Sequence, residues 1–179
     1  MSERKHRVLL LLNEMGKSVR PKEVAERLGM ASRSATAYLL VLLRQGYVAR
    51  ESPGVFILTE AGKEFAARIG RASEEAAKLL GEVPSEKGFH FYSAVGRPSG
   101  IVARSLTQFH DVLQKIDMQS LSFHLQRDDF ERWLSFIGDK VLAESVSKMK
   151  SLQLQGEEAR KKVLELVGNR IEGLRSALR

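Results

Sequence analysis

Residues 21–46 read PKEVAERLGMASRSATAYLLVLLRQG, and the fold follows from this stretch. Pro21 suits the first position of a helix, where its missing N–H has no partner to lose. Val24, Ala25 and Leu28 then form one apolar stripe at helical spacing. Gly29 supplies the permissive backbone that ends the helix and turns the chain. A second helix starts at Ser32, whose hydroxyl can accept from an orphaned backbone N–H. Two helices joined by so short a turn predict a helix-turn-helix, whose second helix lies in the DNA major groove.

Working outward, a first helix is expected from Ser2 to Met15, with Val8, Leu9, Leu11 and Leu12 on one side and Arg4, Lys5 and Arg7 toward the other. Val19 is expected as a short strand beside a wing hairpin. The wing itself is read from the β-rich runs Tyr47–Arg50 and Val55–Leu58, separated by Glu51-Ser52-Pro53-Gly54. Thr59 caps a following helix that runs through Ile69, and Ser73–Leu80 reads as a separate short helix.

Leu28-Gly29-Met30, the run to Leu39-x-x-Leu42, Gly46-Tyr47-Val48 and Val55-Phe56-Ile57-Leu58-Thr59-Glu60-Ala61-Gly62 resemble the winged helix-turn-helix of MarR-like and ArsR-like transcriptional regulators. The resemblance covers the first domain and implies a DNA-binding regulator. On the presumed recognition helix the candidates for DNA contact are Ser32, Arg33, Ser34, Thr36, Ala37, Tyr38 and Arg44, with Arg50 on the wing. Arg33 is the long donor of the opening turns. Leu39, Leu42 and Leu43 are expected in the core. Leu40 and Val41 then face elsewhere, and an apolar surface there is the alternative reading, a protein-docking module in a larger assembly.

Charge separates the two halves. Residues 1–72 hold 13 Lys+Arg against 7 Asp+Glu, a net of +6, whereas the rest holds 16 against 15, a net of +1. A basic excess on one domain is the electrostatic footprint of a phosphate-binding surface, and a solvated basic face is its bland counterpart. The absence of cysteine rules out a disulfide framework and makes the cytoplasm the expected compartment. No membrane span is expected, because no apolar run approaches the necessary length.

The domain expectation is a winged helix over 1–72, a connecting helix and linker over 73–88, and a helical domain over 89–179 for dimerisation, partner contact or ligand sensing. The overall class is mainly α with a small β wing. In the second domain Phe89–Tyr92 reads as a strand and Gly96–Gly100 as a turn. Ser105, Asp117, Asp128 and Asp139 are then expected to cap four helices, the last carrying Val141, Leu142 and Val146 inward. A final helix from Gly156 carries Val163, Val167, Ile171, Leu174 and Leu178 as a seam able to pair with another helix, with packing inside its own domain as the other reading. Ala103-Arg104-Ser105-Leu106-x-x-Phe109, Ser120-Leu121-x-Phe123-His124-x-x-Arg127, Asp129-Phe130-x-x-Trp133 and Gly138-Asp139-x-x-Leu142-Ala143 resemble an archaeal helical domain of unknown function over residues 89–170.

His124, Arg127 and Asp129 are the candidates for a ligand or partner, and an enzyme using them is a weaker reading than structural service. His110-Asp111 has no metal spacing, Gly96–Gly100 lacks a phosphate-loop lysine, and Trp133 reads as a core anchor. No catalytic residue, metal or cofactor is expected. The expected partner is double-stranded DNA, bound by a homodimer because such regulators read two half-sites.

Overall fold

The computed structural model describes residues 3–178 and is mainly helical. The chain divides into two compact units, Met1–Glu74 and Glu75–Leu178. Ser2, placed by the sequence in the first helix, lies outside the described residues.

In the first unit, α1 (Glu3–Met15), α2 (Pro21–Leu28) and α3 (Ser32–Arg44) precede a hairpin of β1 (Val48–Ser52) and β2 (Val55–Leu58). Val8, Leu9, Leu12, Val24, Ala35, Leu39 and Leu42 are buried together with Val48 and Phe56. Gly29 has φ 62°, left-handed backbone open to glycine at no steric cost, and the next N–H, of Met30, returns to the Ala25 carbonyl at 3.0 Å. Val19 joins the wing by a single bridge, exchanging bonds of 2.8 and 2.9 Å with Phe56.

The wing is tied to the helix after it. The Thr59 hydroxyl donates to the Gly46 carbonyl at 2.7 Å and accepts from the Gly62 N–H at 3.1 Å. A β-carbon at Gly62 would stand 2.0 Å from the Tyr47 carbonyl oxygen, so only glycine lets the helix start this close to the strand. That helix, α4, runs unbroken over Glu60–Leu80, where two helices are expected. Gly70 costs a helix interior only about 1 kcal/mol, and the Ala- and Glu-rich residues after it are strong helix formers. Ala76 and Leu79 are buried in the core of the second unit.

Two other expectations about the first unit change. Ala31, not Ser32, occupies the N-cap of α3, and Ser32 is its first helical residue. Glu51 and Ser52 lie in β1, which leaves Pro53-Gly54 as the turn, and the register slips between Arg50 and Ser52.

The second unit comprises a hairpin of β3 (Phe89–Ala94) and β4 (Arg97–Ala103), then α5 (Leu106–Leu113), α6 (Met118–Gln126), α7 (Asp129–Ile137), α8 (Lys140–Met149) and α9 (Gly156–Ala177). Pro98 to Gly100 belong to β4, where a turn is expected. Pro98 has no N–H to donate, and it pairs with Tyr92, whose own backbone groups are bonded to α6 instead. Residues 81–88, expected as a linker, are bound into this unit. The Val83 N–H donates to the Arg104 carbonyl at 2.7 Å, and the Trp133 indole N–H donates to the Lys87 carbonyl at 3.0 Å.

Ser105, Asp117 and Asp139 cap their helices through Gln108, Ser120 and Leu142 N–H groups. Asp128 does not: its backbone is left-handed, with φ 60°, and its carboxylate makes no cap bond. Val141 is exposed, although expected inside, because it stands beside rather than on the Leu142–Val146 stripe. Val163, Val167, Ile171 and Leu174 are buried in the core of their own unit, and Leu178 is exposed. Of the two readings of this seam, packing within its own unit is the one observed, principally on α5 and α8.

Candidate nucleic-acid interface

Helix α3 has a sharply divided surface. Ala35, Leu39 and Leu42 have no exposure, while Ser32, Arg33, Ala37 and Arg44 are exposed. Arg33, Ala37 and Arg44 recur at spacings of four and seven, so they share one outward stripe with a guanidinium toward each end. The other candidates on this helix are less available. Ser34 and Tyr38 are partly buried, Tyr38 against the core, and the Thr36 hydroxyl donates to the Ser32 carbonyl at 2.9 Å.

The apolar half of the helix is less exposed than its sequence suggests. Leu40 and Leu43 pack in part against their own core, and Val41 is half-buried. The N-terminus carries a second feature. Ala31 at the cap offers no side-chain acceptor, so the Ser32 and Arg33 N–H groups find no bond among the described residues. Such groups, together with the helix dipole, favour a bound anion.

Among the described residues the ion pairs of this unit are Lys17–Glu23, Lys22–Glu26 and Lys63–Glu60, and none of them uses Arg33, Arg44 or Arg50. Arg50 is exposed on β1 opposite Phe56, with exposed Glu51 next to it. The structure thus puts Arg33 and Arg44 on one helix face and Arg50 on the wing.

The second set of candidates forms a structural joint. His124 is buried, and its Nε2 accepts from the Tyr92 N–H at 2.8 Å while Nδ1 bonds Asp129 Oδ2 at 2.9 Å. The Tyr92 N–H can only donate, so the ring carries its proton on Nδ1 and donates it to Asp129. The His124 pKa is lowered, with burial as the leading cause and the Asp129 carboxylate opposing it. One turn away on α6, the Ser120 hydroxyl donates to the Tyr92 carbonyl at 2.8 Å. The pair therefore satisfies both backbone groups of Tyr92 at the hairpin edge that has no partner strand. Both ring nitrogens are engaged, which leaves His124 no free atom for a ligand. Arg127 lies over the Phe123 ring at 5.0 Å and donates to Asp129 at 3.3 Å.

Sequence reading missed the Ser120–His124 joint, although i, i+4 spacing on one helix face announces it. It also missed Arg160, whose guanidinium donates to the Leu113 and Ile116 carbonyls at 2.7 Å each and so closes the end of α5. Arg170, which donates to buried Asp139 at 2.9 Å, carries no local sequence signal because its partner is distant in the chain. Among the described residues there is no group of His, Cys, Asp and Glu able to hold a metal ion. No helix there is long and apolar enough to cross a membrane.

Two family profiles match the chain. That of the IclR helix-turn-helix domain matches residues 3–52, from the start of α1 to the end of β1. The winged helix-turn-helix stands, but the matching type is IclR rather than MarR or ArsR. That of a family of unknown function, DUF5752, matches residues 60–168, more than half of the chain, beginning at the first residue of α4. No curated protein matches the chain.

Proposed function

The chain belongs to the family of unknown function DUF5752, and from that premise we propose that it is a transcriptional regulator binding double-stranded DNA through its first unit. The observation that carries the reading is the outward stripe of α3, where Arg33, Ala37 and Arg44 face solvent and neither guanidinium is held by a carboxylate among the described residues. In the major groove, Arg33 in the first turn addresses a guanine edge, and the free N–H groups of that turn receive a phosphate. Arg44 and Arg50 bind backbone phosphates. The basic excess of residues 1–72 adds the sequence-independent attraction.

The proposal includes a homodimer that presents two recognition helices to two half-sites, in the cytoplasm, with no cofactor and no catalytic role. The reading in which the winged helix docks a protein has less apolar surface to rest on, because Leu40 packs in part against its own core. Fluorescence anisotropy on a duplex selected by the protein tests the proposal. Arg33→Ala is expected to cost about 1 to 3 kcal/mol and to relax preference at one base pair. Binding unchanged by Arg33→Ala but lost with Arg44→Ala or Arg50→Ala would show that α3 does not read the groove.

A further inference from the structure

Two hollows of the second unit meet at Asp129, which lines both. One, of about 340 Å³, lies between α6 and the tip of the β3–β4 hairpin, with Phe89, Phe123 and Val95 in its lining. The other, of about 310 Å³, lies between residues 86–88 and α7, with Trp133 and Phe136 in its lining. Val95 and Phe136 are the two most exposed large apolar side chains among the described residues. Single exposed apolar residues are ordinary on a protein surface. Here each borders an aromatic-walled hollow and the two hollows adjoin, which is the form of a surface that another molecule covers.

The charge presented between the hollows has one sign. The Asp129 side chain is only 19% exposed, and its Oδ2 is taken by donors from His124 at 2.9 Å and Arg127 at 3.3 Å. Arg132 stands 3.8 Å from its Oδ1. The two guanidiniums face outward instead, Arg127 at 49% exposure on the first hollow and Arg132 at 70% on the second. Arg127 is held over the Phe123 ring at 5.0 Å as well as by Asp129, and its terminal nitrogens meet no acceptor among the described residues. Glu86 and Lys87, both exposed in the second hollow, offset each other. A partner laid across the two hollows therefore meets two guanidiniums and one carboxylate already engaged by both and by His124.

We infer that this surface docks an acidic peptide, with an apolar side chain in each hollow, against Val95 and Phe136, and carboxylates between them on Arg127 and Arg132. The planar fork of a guanidinium bonds both oxygens of a carboxylate at once, so arginine suits this partner better than lysine would. Recognition of acidic segments by paired arginines is an established mode of peptide binding. A small molecule seated in one hollow would leave the exposed residue of the other in water. A nucleic acid needs a longer basic track, whereas residues 73–179 hold 16 Lys+Arg against 15 Asp+Glu. The inference is independent of DNA binding by the first unit.

Selection of a random phage-displayed library of peptides of about twelve residues on the immobilised full chain, followed by anisotropy of the enriched peptides made synthetically, tests it. The expected consensus has Asp or Glu between large apolar residues. Arg127→Gln and Arg132→Gln are each expected to weaken the enriched peptide about tenfold, the order of a lost charge-assisted contact. Phe136→Ser is expected to weaken it about tenfold through lost apolar burial. These side chains are exposed, so the variants are expected to unfold in urea with the wild type, as Trp133 fluorescence reads. Arg175→Gln, on the exposed face of α9, is expected to leave binding unchanged. Failure to enrich any peptide, a consensus without acid, or binding indifferent to the three substitutions would overturn the inference. So would equal weakening by Arg175→Gln, which would mean general attraction by charge. Displacement of the peptide by duplex DNA would put it on the first unit, and displacement by oligothymidylate would make this surface a single-strand site; either overturns the inference. A wild-type dimer lost in Phe136→Ser would do the same by making the surface a contact between copies.

Discussion

The joint at His124 makes the second unit sensitive to acid, by an amount that can be worked out. The imidazole is buried with Nε2 accepting from the Tyr92 N–H, so protonation must break that bond and charge a ring packed against Phe89 and Phe91. Its folded pKa is lowered, with burial as the leading cause. A depressed folded pKa means that the unfolded chain binds the proton more readily. The stabilisation is then fully present above the unfolded pKa of about 6.5 and is lost as pH falls toward the folded value. Going from pH 7.5 to 5.5 removes at most about 1.4 kcal/mol, the limit reached when the folded ring stays neutral. Glu131, whose folded pKa is raised, contributes stability that is lost as pH rises, the opposite slope. It is common to wild type and variant, so the difference between them isolates His124.

The assay is urea unfolding at both pH values, followed by fluorescence of Trp133, the single tryptophan, which is buried in this unit. Wild type is expected to lose more stability than His124→Leu between the two pH values, by up to about 1.4 kcal/mol. His124→Leu is also less stable at pH 7.5, because the Tyr92 N–H loses its acceptor. Equal pH dependence in the two proteins would refute the buried neutral assignment.

Three further outcomes are expected. Gly62→Ala puts a β-carbon against the Tyr47 carbonyl, which cannot rotate away, and is expected to cost about 3 kcal/mol or more; hydrogen exchange at the bonded Val19 and Phe56 amides reads the loss, and unchanged protection would show that α4 does not need glycine there. Arg160→Met leaves the Leu113 and Ile116 carbonyls unpaired and is expected to cost about 2 to 4 kcal/mol by Trp133 fluorescence; a neutral result would mean that water replaces the guanidinium. Sedimentation of the full chain at about 10 to 50 µM is expected to show a dimer, and a monomer throughout that range and on duplex DNA would remove the half-site argument.

The features legible in the sequence were those set by neighbours in the chain. Pro21, Gly29 and the Val24–Leu28 stripe specify the helix-turn-helix locally, and the caps at Ser105, Asp117 and Asp139 bond groups three residues ahead. Reading failed where a distant partner decides the outcome. Gly70 suggests a break, but burial of Ala76 and Leu79 rewards an unbroken α4. Asp128 resembles a cap, yet Lys150 engages its carboxylate. The seam of α9 has the spacing of a pairing helix, and spacing does not say whether α5 and α8 or a second copy covers it. The shared outward face of Arg33 and Arg44 was legible, because helical spacing puts both on one side of α3. The partial burial of Ser34 and Tyr38 was not, since it depends on how α3 sits on its core.

The central claim is that the first unit grips DNA phosphates, and the salt dependence of duplex binding by the full chain tests it most directly. Each neutralised phosphate contributes about 0.9 to the slope of log affinity against log salt. With Arg44 and Arg50 on phosphates, the predicted slope is at least about 2 in magnitude, reduced by about 1 in Arg44→Ala or Arg50→Ala. A flat salt dependence, or no duplex binding at low salt, would contradict the account.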